Sequence, residues 1–129
     1  MDKNEHITYW LETAKSDWET VNILFVNKKY LQSLFFAHLT IEKIAKALFI
    51  KFTEEIYPPK THDIVKLLDK TNQTFDNETL IFLKAFNIYN LEGRYPDYLS
   101  NIYQSTTKEK ASELIIKIEG IKDCLLKMI

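Results

Sequence analysis

Glycine, proline, cysteine and arginine are all scarce in this chain of 129 residues. Two glycines and three prolines are too few for the many tight turns of a β-sandwich or barrel, so the composition favours long helices joined by short loops. The single cysteine cannot form an intramolecular disulfide, which favours a reducing compartment. The sequence contains no apolar run of about 18 residues and starts without a signal pattern. We therefore expect a cytoplasmic protein with no membrane partner.

The residues that are present indicate a single folded domain spanning residues 1–129. Hydrophobic residues form 46% of the chain and aromatic residues 13%, which is enough for a packed core and argues against disorder. The formal net charge of −1 excludes a generally basic surface for nucleic acids. A local basic patch remains compatible with that charge.

Apolar residues at helical spacing predict four long helices and one short helix. Two long helices are predicted at about residues 7–26 and 30–52, and a short one follows Thr61. A third long helix is predicted from near Asp76, an N-cap residue, to just before Gly93. Residues 92–107 show the least regular pattern, and Thr106 with Glu109 forms a capping-box pattern for the last helix. The predicted fold class is all-α, an antiparallel up-down bundle of four long helices plus one short helix.

The only arginine lies in the segment Gly93-Arg94-Tyr95-Pro96-Asp97, whereas every other basic residue among the seventeen Lys and Arg is lysine. A guanidinium group has five donors in a fixed plane and grips carboxylate or phosphate with two parallel bonds. Gly93 permits backbone angles that are closed to other residues, and Pro96 pushes Tyr95 towards an extended conformation. Arg94 is therefore a candidate for anion binding. The alternative is an ordinary surface loop in which Arg94 makes a salt bridge.

Three polar side chains interrupt the apolar stripes of the first two helices. Asp17 lies on the apolar side of the first helix, and His38 and Glu42 share one face of the second, where Lys46 continues the row. A charge at such a position must be paired, change its pKa or line a cleft filled with water. We expect Asp17 to pair with Arg94 or with a lysine of the second helix. The alternative is that each residue lies at the rim of its stripe and is partly solvated.

The sequence predicts neither a metal site nor a cofactor. Di-iron bundles carry Glu-x-x-His pairs, which are absent here, and three histidines with one cysteine are a poor set for zinc. No pattern indicates a Ser-His-Asp or Cys-His nucleophile. With only two glycines, the chain has no glycine-rich phosphate loop.

Taken together, these residues resemble the HEPN domain, a small helical module often encoded beside a minimal nucleotidyltransferase. The resemblance covers nearly the whole chain. It is carried mainly by the order of three motifs: Glu42-Lys43-x-x-Lys46-Ala47, Thr61-His62-Asp63 and Arg94-Tyr95-Pro96-Asp97. Trp10, Ala14 and Asp17 of the first helix, with Tyr30 and Phe35 of the second, add to it.

The resemblance implies a homodimer with a cleft near its two-fold axis and a role connected with nucleotides or RNA. Many HEPN proteins are metal-independent ribonucleases in which four to six intervening residues separate the arginine from a histidine. Here Leu99, Ser100 and Asn101 occupy those positions, and no histidine follows His62. Without that imidazole, the proton transfers of RNA cleavage lack their usual general acid or base.

The expected function is therefore a non-catalytic module that binds a nucleotide or an RNA phosphate, as the partner of a minimal nucleotidyltransferase in a two-component system of the toxin–antitoxin type. The alternative is an RNA-cleaving toxin with a displaced active site that uses His38 with Arg94. A third class is a protein that serves only in protein–protein contact. No catalytic residue is predicted. The predicted ligand-binding residues are Arg94, Tyr95, Asp97, Lys43, Lys46, His38, Glu42 and Asp17.

Overall fold

The computed structural model describes all 129 residues and contains six α-helices and no strand, which confirms the all-α class. The helices are α1 (Lys3–Val26), α2 (Tyr30–Phe52), α3 (Ile64–Asp69), α4 (Asn77–Phe86), α5 (Pro96–Ser105) and α6 (Lys108–Leu126). A 3₁₀ turn, Asn87–Tyr89, follows α4 directly. None of the helices has both the length and the apolar character needed to cross a membrane.

Local capping explains where several of the helices begin. α1 begins four residues earlier than its apolar pattern predicts, because Asp2 accepts a hydrogen bond from the Glu5 backbone N–H and Glu5 bonds back in a capping box. α2 has the predicted bounds of 30 and 52. Asp76 caps α4 as predicted, by accepting from the backbone N–H of Thr79.

Helices α1 and α2 form an antiparallel hairpin. Contacts between them pair late residues of one helix with early residues of the other: Ser33 with Val21, Lys43 with Asp17, and Lys46 with Trp10. Most of α2 is buried, because α1, α3, α6 and the 3₁₀ turn all pack against it. α2 is therefore the centre of the fold, and every polar side chain on it must be accommodated by a neighbouring element.

Three predictions about the C-terminal half need correction. The helix predicted from Asp76 to Gly93 is shorter, because it ends at Phe86 and passes into the 3₁₀ turn. The segment predicted to be least regular contains α5, whose first residue is Pro96, where the missing N–H of proline is tolerated. The last helix is capped by Thr107, which accepts from the Lys110 N–H, whereas Thr106 donates its hydroxyl to the Ile102 carbonyl. The up-down arrangement of four long helices stays a prediction.

Candidate functional site

Arg94 projects from a tight turn that precedes α5. The Arg94 backbone N–H donates to the Leu91 carbonyl, and Gly93, the third residue of the turn, has a φ of +73°. Glycine reaches this left-handed region without the steric penalty that other residues meet. Tyr95 is extended and Pro96 starts α5, as the sequence predicts. The turn thus fixes the backbone from which the Arg94 side chain leaves.

The Arg94 side chain is held on one side only. Its Nε donates to the Asn90 carbonyl oxygen at 3.1 Å, and its guanidinium carbon lies 4.7 Å from the centre of the Tyr98 ring. Tyr98 is itself anchored, because its hydroxyl donates to the Ile88 carbonyl at 2.7 Å. No carboxylate lies within salt-bridge distance of Arg94, so the surface salt bridge considered from the sequence is not formed. The two terminal nitrogens of the guanidinium group are left for another acceptor.

A buried carboxylate, Glu42 of α2, lies at the centre of a second set of polar residues. Glu42 is only 2% exposed, and its two oxygens bind different partners. Oε2 accepts from the Lys46 ammonium at 3.0 Å, and Oε1 lies 2.9 Å from His62 Nδ1. The other ring nitrogen of His62 lies 3.2 Å from Oε2 of Glu92, two residues before Arg94 in the chain. The set therefore connects α2 to the turn that carries Arg94.

His38 lies one helical turn before Glu42 and is fully buried. Its ring stacks nearly parallel to Phe86, with 6.3 Å between centroids, and no protein group hydrogen-bonds either ring nitrogen. Nδ1 is 3.9 Å from Glu42, which is too far for a hydrogen bond. Desolvation lowers the pKa of His38 from the usual 6.5 to about 4, and the charge of Glu42 opposes only part of this effect. His38 is therefore neutral at neutral pH.

The two lysines predicted for the site already have anionic partners. Lys43 Nζ lies 2.6 Å from Oδ2 of Asp17, which confirms that Asp17 pairs with a lysine of the second helix and not with Arg94. Lys46 binds Glu42 and lies over the Trp10 ring, 5.0 Å from its centre. Each ammonium is therefore paired with a carboxylate of the protein, and Arg94 is the one cation of the predicted set without an anionic partner.

The predicted residues fall into three places. Arg94 and Tyr95 lie at the end of the turn, with Asp97 in the first turn of α5; His38, Glu42 and Lys46 lie along α2; and Asp17 with Lys43 forms a separate pair. The predicted set omitted the residues that join the first two places, His62 and Glu92. The motif Thr61-His62-Asp63 marked His62, but nothing in the sequence brings Glu92 to it. No group of three or more His, Cys, Asp or Glu side chains is arranged to hold a metal ion.

The family model described as HEPN domain matches residues 7–129, nearly the whole chain. The chain belongs to the HEPN family. No curated protein and no solved structure matches it.

HEPN domains are generally connected with nucleotides or RNA. The phosphate groups of such ligands are anions of the kind that an unpaired arginine such as Arg94 can bind. The positions at which many HEPN ribonucleases carry histidine are Leu99, Ser100 and Asn101, which lie within α5. The two imidazoles in the neighbourhood come from α2 and from the segment before α3 instead.

Proposed function

We propose that this HEPN protein binds a single phosphate group, of a nucleotide or of RNA, through Arg94 and does not cleave the ligand. The observation that carries the proposal is that the only arginine is oriented by Asn90 and Tyr98 yet makes no ion pair. A guanidinium held in this way has lost part of its side-chain freedom before a ligand arrives, which lowers the entropic cost of a bidentate grip. Orientation without an internal partner is what a binding arginine requires.

The charges around Arg94 favour one phosphate over a long polyanion. Glu92 and Asp97 lie two and three residues away along the chain, and Lys43 and Lys46 are committed to Asp17 and Glu42. A nucleic-acid strand that follows several cations would meet carboxylates on either side of Arg94. A nucleotide, or the end of an RNA, needs only the single bidentate contact.

The imidazoles support a binding role over a catalytic one. His38 is buried and its pKa is lowered to about 4, so it cannot meet a substrate hydroxyl without a rearrangement of α2 and Phe86. His62 has a carboxylate at each ring nitrogen, so both nitrogens are engaged within the protein and neither is presented to a ligand. The alternative with His38 and Arg94 in a displaced ribonuclease site has no comparable support.

Substitution of Arg94 tests the proposal directly. Arg94→Ala should weaken nucleotide binding by at least about tenfold, and Arg94→Lys by nearly as much, because a point charge cannot reproduce the planar pair of bonds. Calorimetry with a nucleotide at several salt concentrations provides the measurement, and the affinity should fall as the salt concentration rises because salt screens the ion pair. Lys84→Ala, which removes an exposed and unpaired cation from α4, is the matched control and should bind normally.

Metal-free degradation of RNA by the wild type would contradict the proposal, provided that Arg94→Ala abolished it. The ribonuclease assay therefore belongs beside the binding assay, with the same preparations and with chelator present. Equal nucleotide affinity in wild type and Arg94→Ala would refute the binding site without supporting cleavage.

We also propose that the protein works as a homodimer that pairs with a minimal nucleotidyltransferase in a two-component system. The dimer is supported by large apolar side chains that a single chain leaves exposed on α4 and α6, where Ile81 is 63% and Ile116 is 69% exposed. Sedimentation velocity at micromolar concentration should give about twice the 15.3 kDa mass of one chain. Ile81→Asp with Ile116→Asp should shift the population to monomer, whereas Ile23→Asp at the end of α1 should not. A wild type that sediments as a clean monomer would overturn the dimer.

A further inference from the structure

We propose that His62 is a positioning residue that links the Arg94 turn to α2 by contacting both Glu92 and Glu42. This link, here called the clasp, is complete only when the imidazole carries both protons. The effect on ligand binding rests on the proposed function, since it concerns Arg94. The coupling of the turn to the protonation of His62 rests only on the contacts of His62 with Glu42 and Glu92.

The geometry is a bridge of three side chains from separate parts of the chain. His62 Nδ1 lies 2.9 Å from Glu42 on α2, and Nε2 lies 3.2 Å from Glu92 on the turn. The contact with Glu42 is a hydrogen bond, and the contact with Glu92 is an ion pair. A carboxylate offers only lone pairs, so each contact is favourable only when the ring nitrogen that makes it carries a proton. A neutral imidazole has one donor, and the imidazolium has two. The bridge is therefore complete only in the charged ring.

The charged groups at the His62 ring come from α2 and from the turn. They are the Glu42 carboxylate, with the Lys46 ammonium that shares it, and the Glu92 carboxylate. Asp63, the next residue in the chain, instead accepts from the Lys66 backbone N–H at the start of α3. His38, the other titratable group on this face of α2, is neutral because burial lowers its pKa. Two carboxylates thus contact the ring, and the one nearby ammonium is already paired with Glu42.

Loss of a ring proton must remove one of the two contacts, and the structure indicates which. Glu42 is buried and would be costly to leave without a donor, whereas Glu92 is an exposed residue and can return to water. The contact between His62 and Glu92 should therefore be lost first when the ring loses a proton. Because Glu92 and Arg94 are separated only by Gly93, its release frees the turn that aims the guanidinium group.

The consequence for ligand binding has a definite sign. Raising the pH should loosen the turn and weaken anion binding, because a ring with a single proton cannot donate to both carboxylates. A turn that is correctly placed for only about a tenth to a third of the time lowers the apparent affinity by about three- to tenfold. The opposite trend, tighter binding at higher pH, would be incompatible with the clasp.

Three variants separate the clasp from simple loss of stability. Glu92→Ala removes the exposed end of the bridge and leaves the buried pair intact, so it should fold normally and bind about three- to tenfold more weakly at low pH. His62→Gln has a single donor group and should match the weak state at every pH. His62→Lys keeps a charge and several donors, and should restore affinity without pH dependence. Glu119→Ala, an exposed carboxylate on α6 without an ion pair, controls for the change in net charge.

The experiment combines binding and NMR at about pH 5.5 and about pH 8.5, on either side of the usual histidine range. The probe is a dinucleoside monophosphate, whose phosphodiester keeps one charge throughout, unlike a terminal phosphate. Ring ¹⁵N signals report the protonation of His62, and backbone ¹⁵N relaxation reports the order of Gly93 and Arg94.

We expect a doubly protonated ring and an ordered turn at the lower pH, with both lost together at the higher pH. A turn that relaxes identically in wild type and Glu92→Ala, or a ring that titrates with no change at Gly93 and Arg94, would overturn the proposal. If no probe binds at either pH while the NMR coupling is present, the anion-binding function fails and the clasp survives.

Discussion

Glu42→Ala should lower the free energy of unfolding by about 3 to 5 kcal/mol, which is a large part of the stability of a domain of this size. The substitution removes a 2% exposed carboxylate and leaves the Lys46 ammonium, whose side chain is only 12% exposed, without its anion. It also removes the acceptor for His62 Nδ1. Urea unfolding at neutral pH, followed by tryptophan fluorescence, measures the effect. A fall of about 10 to 20 °C in the thermal midpoint is the corresponding expectation.

A paired substitution shows whether the cost arises from the stranded charge. Glu42→Met together with Lys46→Met replaces the ion pair by apolar side chains of similar length, and should recover much of the loss, because most of the cost of breaking a buried pair is the uncompensated partner. Glu119→Ala on exposed α6 should change stability by less than about 0.5 kcal/mol. A loss under about 1 kcal/mol for Glu42→Ala would show that water reaches Lys46 as well as it reaches a surface lysine.

Acidification should destabilise the protein through His38. The folded chain holds this imidazole neutral down to about pH 4, whereas the unfolded chain binds a proton below the usual pKa of 6.5. Between these values the unfolded state carries more protons at this residue, so the stability contributed by His38 is fully present above pH 6.5 and is lost as the pH falls towards 4. The shift corresponds to roughly 3 kcal/mol over that range.

The slope of stability against pH isolates this residue from the carboxylates and from His62. Chemical unfolding at intervals between about pH 4 and 7 should show a flatter slope for His38→Phe than for the wild type, whatever the absolute stability of the variant. The phenyl ring keeps the stack on Phe86 and cannot titrate. His6→Gln at the start of α1 is the matched control and should keep the wild-type slope. Identical slopes for wild type and His38→Phe would mean that the pKa of His38 is the same in the folded and unfolded states.

Much of the fold follows from local pattern. The bounds of α2 and the cap at Asp76 were predictable because helical periodicity and a short polar cap act over a few neighbouring residues. The start of α5 was missed because Pro96 is as typical of a loop as of a first helical turn. Adjacent threonines gave two capping choices, and the difference between Thr106 and Thr107 depends on which hydroxyl the Ile102 carbonyl engages.

In the candidate site, too, local pattern identified individual residues but not their partners. Arg94 was recognisable because a lone arginine between Gly93 and Pro96 is unusual, and Asp17, His38 and Glu42 because charge interrupts an apolar stripe. For Asp17, the sequence left two possible partners, Arg94 and a lysine of the second helix. Lys43 is the one that binds it, because the antiparallel packing of α1 and α2 sets those two positions side by side.

The amino-acid sequence by itself determined that the protein is helical, that it belongs with HEPN domains, and that a histidine is missing where many of those domains cleave RNA. Periodicity, motif order and residue identity are properties of the chain and need no coordinates. Only the tertiary structure decided that Arg94 is left unpaired and that His62 joins Glu42 to Glu92. Those two carboxylates are fifty residues apart in the chain, and their approach depends on how the turn before α5 folds back onto α2. Such long-range pairing is a consequence of packing, for which the local sequence carries no signal.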